Sequence, residues 1–311
     1  MLTNFFGKSN PINFVVCGVY LLVALFFSLY AELTASFFGL ILLKKTGLFL
    51  LLLFSLLLLD FVIRKNSLTQ VNTYSICLFS CLIAMLPSIF SEENIVTSVV
   101  FVLLALRRIA SLPSERNIEK KLFDASFYIS IAALFHFWSV LFLILLYWAI
   151  TKISVKSFRM LFIPITGIMA ALLFSVVYHL LVHNSLAWYA HWIPTLSLDF
   201  SAYNQATLLI PSAIIGALIV WIIVIRMIRV TTIQRKQQRN YKLITFMLII
   251  SLAVTLLSEE KSGAELLFLL SPLAIVTTNY FERKLDFWFQ EVLLWVFMAL
   301  PFGLFFFFGI P

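Results

Sequence analysis

The feature that most constrains this chain is the length of its uncharged runs. Residues 12–30 pass without a single charged side chain, and a helix of about 20 residues is what the roughly 30 Å hydrocarbon layer of a bilayer requires. Runs of the same kind recur to the carboxyl end, separated by short charged segments. A signal peptide is the other reading of the first run, but it is too long for an h-region and no Ala-x-Ala site follows, so it reads as a retained span. Composition agrees: 62% of residues are hydrophobic and 12% charged, where soluble domains carry about 25% charged residues. The sequence therefore predicts one integral membrane domain over residues 1–311, an all-α polytopic transmembrane helix bundle of about ten or eleven membrane segments.

Residues 107–124 set the orientation. They hold five of the 22 Lys and Arg, in Arg107, Arg108, Arg116, Lys120 and Lys121. Basic residues in short loops stay on the cytoplasmic side. With the amino terminus cytoplasmic, 19 of the 22 basic residues fall on that side, and only Lys44, Lys45 and Lys261 do not. A net charge of +8 spread over such loops points to orientation and anionic lipid, not to nucleic acid.

The expected segments follow from this alternation. Asn10-Pro11 starts the first span. Residues 33–45 are too short to cross and are expected to lie in the interface or to re-enter. The second span is 46–63, with Asp60 and Arg64 at (i, i+4) spacing; the third is 72–90 and the fourth 95–106. Ser114 is a candidate cap for a surface helix carrying Lys120 and Asp124. Residues 123–150 are flanked by basic loops on both ends, so the block is expected to enter and return as a short hairpin turning near His136. Further spans are placed at 161–182, 207–228, 243–257 and 266–281, with a last span after Glu282-Arg283-Lys284 running to about 308.

Four constellations are candidates for chemistry. Glu32, Glu92 and Glu93, with Glu259 and Glu260, lie in loops of the outer face, where a carboxylate beside a lipid-accessible groove could act as a base; solvated loop residues are the plainer reading. His179 and His183 are four apart, with His191 following; they are the weak candidates for a metal, against interfacial histidines among Trp188, Tyr189 and Trp192. Arg107, Arg108, Arg116, Lys120 and Lys121 could hold a lipid phosphate, or could only enforce topology. Glu291 and Asp60 are ionisable residues inside apolar segments, which are costly there and so functional candidates. Cys17, Cys77 and Cys81 sit in apolar segments and indicate neither a disulfide framework nor a metal knuckle. No nucleotide-binding, zinc-protease or serine-hydrolase motif occurs in a usable context, and no cofactor is indicated.

The runs Lys65-Asn66-Ser67-Leu68-Thr69, Leu106-Arg107-Arg108-Ile109-Ala110-Ser111-Leu112, Phe123-Asp124-Ala125-Ser126-Phe127-Tyr128 and Phe137-Trp138, with the amino-terminal Phe5-Phe6-Gly7-Lys8, resemble an uncharacterised bacterial family of polytopic membrane proteins. The resemblance implies a bacterial inner membrane and no activity. Members are sometimes named carotene oxygenases, but four histidines in the chain, three of them near one loop, do not supply such an iron site. In layout alone the chain is similar to membrane glycosyltransferases and polymerases that use polyprenyl-linked sugars. Three functions are thus open: envelope-glycan assembly on a polyprenyl-linked substrate, a scaffold or accessory subunit for other membrane proteins, and a carrier. Nine glycines against 33 phenylalanines count against a carrier built on tight small-residue packing.

Overall fold

The computed structural model describes residues 1–32, 38–153, 157–185, 187–194, 199–229, 235–259, 261–282 and 287–308; the side chains of 30–32, 38–41, 190, 191, 227–229, 235–237 and 308 are not described. The elements, in order, are α1 (Leu2–Phe6), α2 (Pro11–Glu32), α3 (Phe38–Asn66), α4 (Tyr74–Ala84), α5 (Glu93–Ala110), α6 (Ile118–Phe135), α7 (Phe142–Thr151), α8 (Arg159–His183), α9 (Trp188–Trp192), α10 (Ala206–Arg229), α11 (Arg235–Leu257), α12 (Leu267–Phe281) and α13 (Phe287–Phe308). Among the described residues there is no strand. Eight helices are long and apolar enough to cross a membrane.

The bundle is built around two helices that differ in length. All residues of α4 from Ser75 to Ile83 are buried, as expected of a helix apolar on every face. It packs on α2, α3, α12 and α13. In α12, 83% of the apolar window is buried, against 28% in α8 and 17% in α13. The outer helices instead show large apolar side chains to the surroundings, among them Phe162, Leu173, Phe174 and Leu181 on α8. Uncovered apolar surface on this scale is what a bilayer solvates.

Successive loops alternate between two ends of the bundle. At one end Arg108 pairs with Asp124 at 2.8 Å, Asn240 donates to the Asn66 carbonyl at 2.9 Å, and Glu282 accepts from Asn72 at 2.6 Å. Glu282 is half-buried there, and the loss of solvent raises its carboxyl above the ordinary value, while Asn72 and Gln70 pull the other way. At the opposite end Lys45 reaches Ser28 and Ser91, and Tyr203 meets Glu265.

Several expected boundaries are corrected. Residues 33–45 do not form a separate interface segment in their described part, because α3 runs without a break from Phe38 through Lys44 and Lys45 to Asn66. The third span is not a single helix over 72–90. It ends at Ala84, because Pro87 forces the preceding Leu86 into an extended backbone (φ −125°, ψ 82°), and a 3-10 turn, Pro87–Phe90, follows. No separate surface helix begins after Ser114, since α6 continues from Ile118 to Phe135. Its Asp124 pairs with Arg108 of α5 and not with Lys120.

The hairpin turns at His136, whose extended backbone (φ −141°, ψ 103°) ends α6. After a 3-10 turn, Phe137–Leu141, the return arm is α7. A Cβ on Gly167 would lie 2.8 Å from the Phe123 carbonyl, Phe174 packs on Phe127, and Trp192 donates to the Ala133 carbonyl at 2.9 Å. So α8 climbs alongside α6 in the same direction, and α7 has returned between them. Carbonyls at the turn are covered as membrane depth demands: that of Ala133 accepts from Trp192 at 2.9 Å, and that of Ala132 accepts both the His136 amide and the Ser98 hydroxyl at 2.9 Å.

At Gly167 the backbone of α8 lies close against α6. Gly167→Ala would set a methyl against Ser126 and two backbone atoms of α6, so it is expected to lower the thermal midpoint, at a cost of about 1–3 kcal/mol for overpacking. Gly216→Ala, with open space at the Cβ position, should be neutral or slightly stabilising. Equal midpoints for the two variants in detergent would contradict this packing.

Candidate functional site

At the end carrying residues 91–94 the helices do not close. A chamber of about 330 Å³ lies between α2, the Pro87–Phe90 turn, the start of α10 and the end of α13, within the range of about 300–1,000 Å³ usual for small-molecule sites. One wall is aromatic: Tyr20, Phe27, Phe302 and Phe305. Phe27 lies 4.0 Å from Phe305 between ring centroids and 6.0 Å from Phe302. Tyr20 donates to the Met298 carbonyl at 2.9 Å and so ties α2 to α13. The other wall is polar, with Ser28, Ser88, Glu92, Gln205, Thr207 and Ser262. The Ser88 and Thr207 hydroxyls are buried without a hydrogen-bond partner.

A second cleft, about 320 Å³, adjoins the first and is lined by Lys44, Lys45, Glu92, Glu93 and Asn94. Ser91 and Glu92 border both. Lys45 is 5% exposed and its ammonium is held by the Ser28 and Ser91 hydroxyls at 3.3 and 3.2 Å. Lys44 stands 4.0 Å from Glu93, a loose exposed pair of small energetic weight. The combined cavity thus has an apolar, aromatic interior and a mouth bearing two cations and two carboxylates.

Behind the chamber lies a buried polar cluster. Gly263 takes a left-handed backbone (φ 87°), and a Cβ there would meet Leu208 at 2.8 Å and Ser88 at 3.3 Å, so only glycine lets this turn approach the chamber wall. Two residues on, Glu265 is fully buried. Tyr203 donates to its Oε1 at 2.6 Å, while Oε2 has no hydrogen-bond partner. Lys261 donates to the Thr255 and Leu256 carbonyls at 2.9 and 2.7 Å, at the end of α11 where carbonyls are orphaned. Burial lowers the Lys261 ammonium below its usual value, and the charge of Glu265 opposes that.

His136, in the turn between α6 and α7, stacks near Phe268 at 5.1 Å. Its Nε2 is buried without a hydrogen-bond partner.

The structure sorts the sequence candidates as follows. Glu92 and Glu93 stand at the mouth of the cavity. The side chain of Glu32 lies outside the described residues, as do Glu260 and the side chain of His191. His179 stacks on Trp188 at 4.7 Å and on His183 at 5.5 Å. Among the described residues no three His, Cys, Asp or Glu gather in an arrangement that could hold a metal ion. Cys17, Cys77 and Cys81 are buried free thiols.

Asp60 pairs with Arg64 at 2.6 Å, as the spacing predicts. Glu291 accepts from the Leu2 and Thr3 amides at 2.6 and 3.0 Å and from the Thr3 hydroxyl at 2.5 Å, so its partner is the start of α1. Arg116 and Lys120 are exposed, whereas Arg107, Arg108 and Lys121 are half-buried. Sequence reasoning missed the cluster of Glu265, Lys261 and Tyr203, having placed Lys261 only among the three basic residues off the cytoplasmic side. The available signal was the uncharged stretch beginning at Leu266, which carries the residue before it into the bundle. Arg226, buried in α10 with its guanidinium 3.8 Å over the Tyr241 ring, was missed as well.

Exposed apolar helices, a buried centre and loops at alternating ends define a multi-pass α-helical membrane protein with an amphipathic cavity at one end. No curated protein and no solved structure matches the chain. It belongs to a family of unknown function, DUF6427, whose sequence model matches residues 1–310, in keeping with the resemblance to an uncharacterised membrane family.

Proposed function

We propose that this protein handles an amphipathic, anionic, lipid-linked substrate at the outer face of a bacterial inner membrane, as a cell-envelope glycan assembly protein acting on a polyprenyl-linked sugar. The observation that supports the reading is the continuity of the aromatic chamber with the charged cleft through Ser91 and Glu92. An isoprenoid chain suits Phe27, Phe302 and Phe305, and a phosphate suits Lys45. Glu92 would then accept the proton of an incoming hydroxyl as its oxygen attacks the anomeric carbon and the bond from that carbon to the carrier phosphate breaks. In this reading the end bearing Arg107, Arg108 and Lys121 is cytoplasmic, as is the amino terminus.

A photoreactive polyprenyl-diphosphate probe tests the proposal on the purified full-length chain. Labelling should fall on α2 and α13, and Lys45→Glu should abolish it. Glu92→Gln should keep the labelling and stop glycan transfer. Labelling confined to the exposed face of α8, or indifferent to Lys45→Glu, would overturn the reading. Normal glycan with Glu92→Gln would remove the chemistry and leave a lipid-binding scaffold or carrier.

A further inference from the structure

A second site lies at the opposite end of the bundle. Phe61 projects from α3 one turn before Lys65 and is 42% exposed. Two cations from different helices lie over its ring: the Arg107 guanidinium at 4.8 Å and the Lys65 ammonium at 5.3 Å. Lys121, in the first turn of α6, has its ammonium held below the usual value first by burial and then by the like charges of Lys65 and Arg108. Three helices thus bring positive charge to one place.

Two carboxylates of this end are already engaged, Asp60 with Arg64 at 2.6 Å and Asp124 with Arg108 at 2.8 Å, while Glu115 and Glu119 are exposed. Among the described residues Lys65, Arg107 and Lys121 have no carboxylate at ion-pair distance. Lys121 is anchored by the Ser111 carbonyl at 2.6 Å and the Ser114 hydroxyl at 2.7 Å, which fixes its position without neutralising it. The Arg107 Nε is buried and has no acceptor. Unneutralised cations crowded in this way repel one another unless an anion sits among them.

The surface beside the cluster indicates what carries that anion. Leu50, Phe54, Leu57 and Phe61 are all exposed, at 64, 47, 53 and 42%. Their spacing of four, three and four residues puts them on one face of α3, an uncovered apolar rail that runs along the helix to Phe61 and Lys65. A free phosphate has no use for such a rail, whereas an acyl chain does.

We infer that Lys65, Arg107 and Lys121 bind the headgroup phosphate of an anionic phospholipid whose acyl chain lies along Leu50, Phe54, Leu57 and Phe61. Arginine offers a two-pronged donor to a phosphate and the lysines add point charges. The ring of Phe61 keeps the cations oriented and partly desolvated.

The full-length chain in phosphatidylcholine nanodiscs, with and without phosphatidylglycerol, provides the test by native mass spectrometry. Wild type should retain phosphatidylglycerol through delipidation, and Lys65→Gln, Arg107→Gln and Lys121→Gln should each weaken retention about fivefold, as expected for one cation near an anionic surface. Arg116→Gln and Lys120→Gln, exposed cations of the same end, should retain it as wild type does. Lys65 is exposed, so Lys65→Glu keeps the test meaningful if the Arg107 variant fails to fold. Leu57→Ser should also weaken retention, because it interrupts the rail. Equal losses from Arg116→Gln would overturn the site in favour of diffuse charge. Displacement of the lipid by inorganic phosphate at low millimolar concentration would overturn the lipid as its occupant.

Discussion

Replacing Tyr203 by phenylalanine is expected to cost on the order of 3 kcal/mol of folding stability, although it removes a single oxygen atom. The reason lies in Glu265, which is fully buried and whose Oε1 accepts the Tyr203 hydroxyl at 2.6 Å. Its other oxygen already has no hydrogen-bond partner, and Lys261 spends its protons on the Thr255 and Leu256 carbonyls. Without the phenol the carboxyl group has no side-chain donor left among the described residues. A second substitution, Glu265→Leu, removes the stranded group, so the double variant should be more stable than Tyr203→Phe alone. Thermal unfolding in detergent measures both. If Tyr203→Phe unfolds at the wild-type temperature, Glu265 draws its stabilisation from elsewhere and the cluster does not close the back of the chamber.

Asn13→Leu should have an effect of similar size for a different reason. The Asn13 amide nitrogen is buried and lies 3.0 Å from the Phe5 carbonyl, 2.9 Å from that of Lys8 and 2.6 Å from the Thr73 hydroxyl. Thr73 in turn donates to the Phe6 carbonyl at 2.9 Å. One side chain of α2 therefore pins the turn after α1 to the start of α4. A leucine has nearly the same bulk and no donor, and a buried carbonyl left unpaired costs about 1–3 kcal/mol. The expected results are a lower unfolding midpoint and faster tryptic cleavage at Lys8. Cleavage at the wild-type rate would mean that Glu291, Thr73 and Tyr74 hold α1 in place without Asn13.

The existence of the helices was legible because long uncharged runs admit no other structure in lipid. Their ends were not, where charge was taken to mean a loop. Lys and Arg are good helix formers, so α11 starts at Arg235, well inside the expected basic loop, and α3 passes through Lys44 and Lys45. Lys45 can lie inside because Ser28 and Ser91, from two other segments, receive its charge. The turn at His136 was legible from the basic loops on either side of it. Glu92 and Glu93 could be nominated from sequence, but the cavity beside them could not, since its walls come from five separate parts of the chain. Glu265 was hidden for the same reason, its partner lying 62 residues away. Glu291 was recognised as costly, but the amides that satisfy it are separated from it by nearly the whole chain.

The shortness of α4 and α7 bears on how the molecule is made. Eleven and ten residues reach about 16 and 15 Å, roughly half the hydrocarbon layer. Standing alone in lipid, each would leave its terminal backbone groups unpaired at a depth where every such group costs several kcal/mol. Neither can therefore enter as an independent span and wait for its neighbours. α4 needs α2, α3 and α12 around it, and α7 needs α6 and α11. Since α12 ends at Phe281, the wall that encloses α4 does not exist until nearly all of the chain has emerged. One half of the centre, α4, is encoded in the first third of the sequence, and it is enclosed only when the other half, α12, arrives from the last.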